Sequence, residues 1–185
     1  MNTVILIPAR YPSQRFPGKP LAKLTGATGE ARSLIHRSWD AARAVTGVDA
    51  VFVLTDDDRI ADAARAFGAD VLITSETPRN GTERCAEALP LLGETPEIVV
   101  NLQGDAPLTP PHYVEALIEA MRADAAIQMA TPVLRTEPEH VAALQADRKA
   151  GRVGATTAVF QPDGVDHPAG RFPDTRHRVS LARGD

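Results

Sequence analysis

The sequence predicts a doubly wound, mostly parallel α/β sheet, and two patterns lead to that prediction. Short runs of aliphatic and β-branched residues alternate with segments whose apolar residues recur every three or four positions. The short runs have the composition of strands that are covered on both faces, which is typical of parallel sheets. With 185 residues, 43% of them hydrophobic, the chain is long enough for one globular domain. Alternating strands and helices therefore favour a single sheet with helices on both faces.

The first predicted strand, Thr3 to Pro8, runs into a loop that is rich in proline and in positive charge. The stretch "IPARYPSQRFPGKP" carries three cations, Arg10, Arg15 and Lys19, and four prolines that can hold them in place before an anion binds. Ligands of open parallel sheets bind beyond the carboxyl ends of the strands, so this loop should face a ligand crevice. We interpret the loop as a polyphosphate site; the alternative is that its cations are ordinary solvated surface charges.

The loop carries neither of the two common phosphate-binding motifs. The sequence has no G-x-G-x-x-G pattern, and Gly18-Lys19 is followed by Pro20, where a P-loop would have serine or threonine. These absences disfavour a Rossmann dehydrogenase and a P-loop kinase.

Three further strands and three helices are predicted from the same two periods. The predicted strands are Ala50 to Leu54, Asp70 to Thr74 and Ile98 to Leu102. Helical spacing of apolar residues marks segments from Leu34 to Val45, from Ile60 to Phe67 and from Val114 to Met121. Asp56 or Asp57 can cap the second of these helices, and Gly68 can end it.

The stretch "TSETPRNGTERCAEA" leads from the third strand into another helix through a turn at Asn80-Gly81, and Thr82 is available as the N-cap. Free backbone N–H groups at the start of this helix could contact a base or a phosphate. The alternative is an ordinary capped helix start, with Glu83 and Arg84 as solvated charges.

The stretch "VVNLQGDAPLTPP" places Gln103, Gly104 and Asp105 at the end of the fourth strand. A carboxylate at that edge, opposite a cationic loop, offers the hard oxygen chemistry that Mg²⁺ prefers. Asp105 could instead be a turn aspartate that precedes Pro107.

Composition and charge argue against several other classes of function. A net charge of −4 gives no general reason to expect nucleic acid or an anionic membrane as a partner, so an anion would be bound by a local cluster. Cys85 is the single cysteine, and no apolar run approaches the roughly 20 residues of a membrane span. The N-terminus leads directly into a strand without the regions of a signal peptide, which predicts a cytoplasmic protein.

The quoted stretches, in their order and at their separations, resemble the 3-deoxy-manno-octulosonate cytidylyltransferases, also called CMP-KDO synthetases. The resemblance covers about residues 3 to 160 and implies a sheet of the nucleotide-diphospho-sugar transferase (Rossmann-like) type. It also implies a reaction in which CTP and KDO give CMP-KDO and diphosphate, with Mg²⁺, for lipopolysaccharide or capsule synthesis. The family forms homodimers.

The resemblance also assigns roles to individual residues. It implies that Arg10, Arg15 and Lys19 hold the CTP phosphates, beside Ala9. It implies that Gly81, Thr82 and Gln103 line the nucleoside and that Asp105 binds the metal. Arg10, Lys19 and Asp105 are thus the candidate catalytic residues. The reaction requires no protein nucleophile, so Cys85 is interpreted as a small helix residue.

Two departures from the family pattern lead us to expect that catalysis by this chain is absent or very slow. Ala106 stands where the family usually has glutamate, which removes one acidic group near the predicted metal site. Residues 161 to 185 are rich in proline, glycine, aspartate and arginine and lack a sustained apolar period. A truncated gene or a frameshift after Phe160 would produce such a segment. We therefore predict a CTP-binding core over residues 1 to 160, a disordered tail over 161 to 185, and a missing C-terminal part that would hold the acceptor sugar and the dimer contacts.

Two other functions stay open at this point. The chain could be a cytidylyltransferase for another acid sugar, such as amino-KDO or a sialic acid, because the predicted acceptor part is the one it lacks. It could also be a nucleotide-binding fragment without catalysis, which would bind CTP and not turn it over.

Overall fold

The computed structural model of the chain describes residues 1–12, 16–134, 136–152 and 177–183. The chain forms two compact units, Met1–Glu115 and Ala116–Asp185. The strands described in the first unit are β1 (Thr3–Pro8), β2 (Lys23–Thr25), β3 (Ala31–Ser33), β4 (Ala50–Thr55), β5 (Asp70–Ile73) and β6 (Ile98–Asn101).

The main sheet of the first unit has the strand order β5-β4-β1-β6, and every neighbouring pair of strands is parallel. Ile5 in β1 lies opposite Val51 of β4 on one side and Val100 of β6 on the other. All six residues of β1 are buried. Since alternate side chains of a strand point to opposite faces, both faces of the sheet are covered at β1. This explains why the "VILI" run is continuously apolar rather than alternating.

The predicted fold class and its four main strands are confirmed. Each predicted strand agrees with β1, β4, β5 or β6 to within about one residue, which is the usual precision of strand ends. The strand order reverses at β1, because β4 and β5 lie on one side of it and β6 on the other. In open α/β sheets such a reversal opens a crevice at the carboxyl ends of the strands. The loops after β1 and β6 therefore lie beside that crevice.

Four α-helices begin within the described residues of the first unit: α1 (Leu34–Arg43), α2 (Asp58–Ala66), α3 (Gly81–Ala88) and α4 (Pro111–Ala123). Asp57, and not Asp56, caps α2, because its side chain accepts from the backbone N–H of Arg59 at 3.0 Å. Gly68 follows the end of α2 with a φ of +88°, as a left-handed terminating residue does.

The predicted N-cap of α3 is wrong. The cap is Asn80, whose side-chain oxygen accepts from the N–H of Glu83 at 2.9 Å, so Thr82 lies inside the helix. The Glu83 carboxylate accepts in turn from the backbone N–H of Arg79 at 2.8 Å. This arrangement differs from a capping box because Glu83 accepts from Arg79, the residue before the cap, and it starts the helix before Thr82 can serve as its cap.

The short hairpin of β2 and β3 was not predicted from the sequence. The two strands are antiparallel, with Lys23 opposite Ser33. The side chain of Arg37 in α1 donates to the backbone carbonyls of Leu24 and Glu30, at 2.8 Å each. These side-chain-to-backbone hydrogen bonds hold the hairpin to the following helix.

The second unit contains the end of α4, then β7 (Ile127–Leu134), α5 (Pro138–Lys149) and β8 (His177–Arg183). β7 and β8 form an antiparallel pair in which Leu134 lies opposite His177. β8 falls within the predicted tail, where the sequence analysis expected no strand. The predicted boundary at residue 160 lies outside the described residues. No helix in the described ranges combines the length and the apolar character that crossing a bilayer requires.

Candidate active site

The predicted site residues lie in three segments at the carboxyl edge of the main sheet: the loop after β1, the start of α3 and the loop after β6. Arg15 lies outside the described residues, and the other predicted residues lie within them. Ala9 follows β1 directly, is 5% exposed, and its N–H donates to the carbonyl of Leu54 at 2.8 Å. Ala9 therefore prolongs the strand pairing up to the point where the cationic loop begins.

The loop after β1 is closed by a contact between its two ends. The N–H of Gly18 donates to the carbonyl of Tyr11 at 2.9 Å, and Gly18 has a φ of +70°. This left-handed backbone favours glycine, and a Cβ at position 18 would also lie in tight contact, 3.0 Å, with the Tyr11 ring. The closed loop delivers the next residue, Lys19, to the sheet edge.

Tyr11 is also covered by a charged pair from α2. The Arg59 guanidinium lies 3.3 Å from the centre of the Tyr11 ring, a cation–π contact. Arg59 donates to Asp57 at 2.6 Å, and this hydrogen bond holds the pKa of Asp57 below its ordinary value. The cap of α2 and the loop after β1 are thus linked through Arg59.

Lys19 and Asp105 meet at the carboxyl edge. The Nζ atom of Lys19 lies 2.5 Å from Oδ2 of Asp105, and the two side chains are 46% and 52% exposed. An ion pair this exposed contributes only about 0–1 kcal/mol to stability, so a stronger ligand of either partner can separate them. The pair brings the predicted phosphate loop and the predicted metal ligand to one place.

The backbone around Asp105 forms the turn that the alternative interpretation expected. The N–H of Ala106 donates to the carbonyl of Gln103 at 3.0 Å, which closes the turn. Gly104 lies so close to β1 that an added Cβ would be 2.8 Å from the carbonyl oxygen of Pro8. The buried hydroxyl of Ser38 in α1 donates to the Gly104 carbonyl at 2.9 Å. The turn fixes the backbone of Asp105 and leaves its carboxylate facing Lys19.

Gly81 and Gln103 are also in close contact. An added Cβ at Gly81 would lie 2.9 Å from Cγ of Pro8 and 3.0 Å from Oε1 of Gln103. The first residue of α3 therefore packs directly on the ends of β1 and β6. Arg10 reaches the same region, since its Nη1 donates to the carbonyl of Arg79 at 3.3 Å.

Asn101 is a site residue that the sequence analysis missed. Its Oδ1 accepts from Nε2 of Gln103 at 2.7 Å, and its Nδ2 donates to the hydroxyl of Thr82 at 3.3 Å. The three polar side chains thus form a chain from the end of β6 to α3. An asparagine at the end of the otherwise apolar "IVVN" strand was the available signal.

The sequence analysis also misjudged the environment of Arg84. Its interpretation as a solvated charge is wrong, because the residue is only 3% exposed. Its Nη2 lies 2.9 Å from Oδ1 of Asp56, and Nη1 donates to the hydroxyl of Thr74. These partners follow two different strands, so only the tertiary fold reveals them. Glu83, by contrast, is exposed.

Cys85 lies in the hydrophobic core formed with Val4, Leu6, Leu54 and Ala88. Burial raises the pKa of its thiol to about 11, so the thiol is protonated at neutral pH. A protonated, buried thiol is a poor nucleophile, and this environment fits a packing role.

Comparison with known proteins identifies the family. Residues 4–152 match the cytidylyltransferase family. A 3-deoxy-manno-octulosonate cytidylyltransferase from Maricaulis maris (strain MCS10) is 47% identical over 160 residues, which are 86% of this chain and 60% of that protein. The enzyme of that name from Anaeromyxobacter dehalogenans (strain 2CP-C) is 43% identical over 183 residues, 97% of this chain and 72% of that protein.

A solved structure agrees with these matches. A CMP:2-keto-3-deoxy-manno-octonic acid synthetase complexed with CTP superposes with a TM-score of 0.62 at 39% identity. The superposition covers 69% of this chain and 50% of that one, so this chain spans only part of the length of these relatives. On the family match and the Anaeromyxobacter relative, the chain belongs to the cytidylyltransferase family, among the 3-deoxy-manno-octulosonate cytidylyltransferases.

Proposed function

We propose that this chain binds CTP and serves the transfer of its cytidylyl group to KDO, which gives CMP-KDO and diphosphate. The observation that carries the proposal is the contact between Lys19 and Asp105. It joins a cationic loop to a carboxylate at the two strand ends on either side of the crevice. A nucleoside triphosphate with a divalent cation has the charges that suit both partners.

The proposed roles follow from where charge develops. When the anomeric hydroxyl of the sugar attacks the α-phosphorus, a new P–O bond forms and the bond to the β-phosphate oxygen breaks. Negative charge grows on the phosphoryl oxygens and on the leaving diphosphate. Arg10, Arg15 and Lys19 would stabilise that charge, and fixed positive groups are an effective way to do so. No side chain needs to act as a nucleophile.

Asp105 is the proposed ligand of Mg²⁺. Among the residues that the structure describes, no three His, Cys, Asp or Glu side chains cluster in a way that could hold a metal ion. A single carboxylate nevertheless fits, because Mg²⁺ is commonly held by one or two carboxylates together with substrate phosphates. When bound, the ion would neutralise charge on those phosphates. Asp105 would then exchange its contact with Lys19 for the cation.

The nucleoside side is proposed to be lined by Gly81, Thr82 and Gln103, with Ala9 at the base of the crevice. The contact of Gly81 with Gln103 and the link of Thr82 to Asn101 support this assignment. A cytoplasmic location stays a prediction, as do the lack of a defined homodimer in a chain without the family's C-terminal part and the division into a core up to residue 160 and a tail.

The proposal is tested by isothermal titration of the 185-residue chain with CTP, with and without Mg²⁺, and with ATP as the comparison nucleotide. We expect CTP to bind in a Mg²⁺-dependent manner and more tightly than ATP. The absence of CTP binding would overturn the proposal. Diphosphate release is then measured with KDO and with other acid sugars as acceptors. Release with KDO would support the full reaction, whereas release only with another sugar would contradict the proposed acceptor.

A further inference from the structure

A buried guanidinium lies in α3, one turn after the residues that are proposed to contact the nucleoside. The Nη2 atom of Arg84 lies 2.9 Å from Oδ1 of Asp56, and the two side chains are 4% and 12% exposed. Nη1 of Arg84 donates to the hydroxyl of Thr74 and, at 3.2 Å, to the carbonyl of Ser75. Arg84 therefore has partners on three other residues.

These partners belong to the same edge of the sheet as the candidate site. Asp56 follows β4 directly, and Thr74 follows β5 directly. The N–H of Thr74 donates to the carbonyl of Thr55 at 3.0 Å, so the two strand ends stay paired where Arg84 binds them. A single side chain thus fastens α3 to the ends of two strands.

Stability alone accounts poorly for such a pair. Removing two charges from water is costly, and well-packed apolar residues often replace a buried ion pair without loss of stability. What an arginine adds is geometry, because its planar fork makes several directed hydrogen bonds from one rigid group. The hydrogen bonds from Nη1 to Thr74 and Ser75 therefore fix an orientation that apolar packing would leave looser, and Nη2 adds the ion pair with Asp56.

The orientation matters because the start of α3 has no spare room. Gly81 lies so near Pro8 and Gln103 that even a methyl group at this position would come too close to both. Arg84 is three residues after Gly81, and residues three apart lie on the same side of a helix. A small rotation or lift of α3 would therefore move Gly81 and Thr82 relative to Gln103.

We propose that Arg84 is a positioning residue for the nucleoside of CTP. Through Asp56, Thr74 and Ser75 it holds the first turn of α3 in place, while the triphosphate is held by the loop after β1, which contacts the start of α3 only through Arg10 and the carbonyl of Arg79 among the described hydrogen bonds. This inference rests on the proposed function, since it concerns the same nucleotide site. It predicts that loss of the Arg84 guanidinium weakens binding of the nucleoside and leaves binding of the triphosphate nearly unchanged.

The test is to titrate the Arg84→Lys variant with CTP and with inorganic tripolyphosphate, both with Mg²⁺. Lysine keeps the positive charge beside Asp56 but cannot reproduce the fork. We expect CTP affinity to fall about tenfold, the scale on which the loss of a supporting residue weakens a ligand site. Tripolyphosphate affinity should stay within about twofold, because the described partners of Arg84, which are Asp56, Thr74 and Ser75, lie outside the loop after β1. The matched control is Arg65→Lys in α2, where the arginine is exposed and pairs with Asp62 at 3.2 Å.

A second variant keeps the test decisive if Arg84→Lys does not fold. Asp56→Asn keeps the shape of the partner and removes its charge, and it should show the same selective loss of CTP affinity. Thermal unfolding of each variant shows whether it is folded at the titration temperature. Equal losses for CTP and tripolyphosphate, or unchanged CTP affinity in a folded variant, would overturn the inference. Failure of the wild-type chain to bind CTP would instead count against the proposed function.

Discussion

Lys19 and Asp105 neutralise each other across the crevice, and a bound nucleotide would have to separate them. Both side chains are about half exposed, so separating them requires little free energy. A phosphate oxygen offers Lys19 a charge-assisted hydrogen bond, which is stronger than a solvated pair. The contact therefore keeps both groups at the crevice without blocking it.

At this scale the first prediction concerns Lys19→Ala. We expect CTP affinity to fall by about 1.5–3 kcal/mol, the range for hydrogen bonds to charged groups. CMP affinity should fall much less, because CMP lacks the two outer phosphates. Isothermal titration with both nucleotides measures the difference, and Lys23→Ala, an exposed lysine in β2, is the control. Similar losses for CTP and CMP would show that Lys19 does not bind the outer phosphates.

Asp105→Asn should remove most of the Mg²⁺ dependence of CTP binding. Asparagine keeps the shape of the side chain but lacks the charge that a hard cation requires. The backbone turn closed by Gln103 and Ala106 does not need the carboxylate, so thermal stability should hardly change. In the absence of Mg²⁺ the variant should bind CTP at least as well as the wild type, because Lys19 is released. If CTP binding keeps its full dependence on Mg²⁺, Asp105 is a turn residue only.

The sequence was informative about single residues only where the fold class also located them. Lys19 and Asp105 each follow an apolar strand, so a parallel sheet predicts that they share an edge. Arg84 could not be placed in this way. It stands in a polar helix start, and its buried partners, Asp56 and Thr74, come from two other strand ends.

At the scale of elements, the start of α3 depends on its Asn80 cap. Asn80→Ala should destabilise the protein by about 0.5–2 kcal/mol, because the N–H of Glu83 loses its acceptor. Urea unfolding measures the change. Asn80→Ser keeps a good cap without placing a second carboxylate beside Glu83, whose Oε1 accepts from Nδ2 of Asn80 at 2.8 Å, so it should retain most of the stability. If alanine and serine at this position are equivalent, the cap does not stabilise α3.

The elements that the sequence failed to predict are those held by side-chain and long-range contacts. β2 and β3 are exposed or half-buried three-residue strands, so they carry no apolar run, and Arg37 holds them through backbone carbonyls. β7 contains Pro132, a residue that normally argues against a strand interior. Its partner β8 lies in a segment without an apolar period. By contrast, β1, β4, β5 and β6 were predictable because burial on both faces requires continuous apolar runs.

At the scale of the whole molecule, the thiol of Cys85 makes the free energy of unfolding change with pH in the alkaline range. The folded thiol has a pKa of about 11, above its ordinary value of 9.0, so the folded protein holds this proton more tightly than the unfolded chain. The resulting stability is fully present below pH 9.0 and is lost as the pH rises through about 11. We expect the stability advantage of the wild type over Cys85→Ala to shrink across that window. Urea unfolding of both proteins at several pH values measures it, and a constant difference would contradict the prediction.

The central place of β1 sets the order in which the molecule can assemble during synthesis. β1 leaves the ribosome before both of its neighbours in the sheet, because Val4 pairs with Ala50 and Thr3 pairs with Ile98. Pairing between such distant parts of the chain is slow, because closing the intervening loop lowers the entropy of the chain before any stabilising contact forms. Until β6 emerges, the apolar side chains of β1 lack one of their two neighbours and are a natural target for chaperones. The nucleotide crevice is therefore completed only when the loop after β6 has emerged, and CTP could begin to stabilise a nascent chain only after Asp105 has left the exit tunnel.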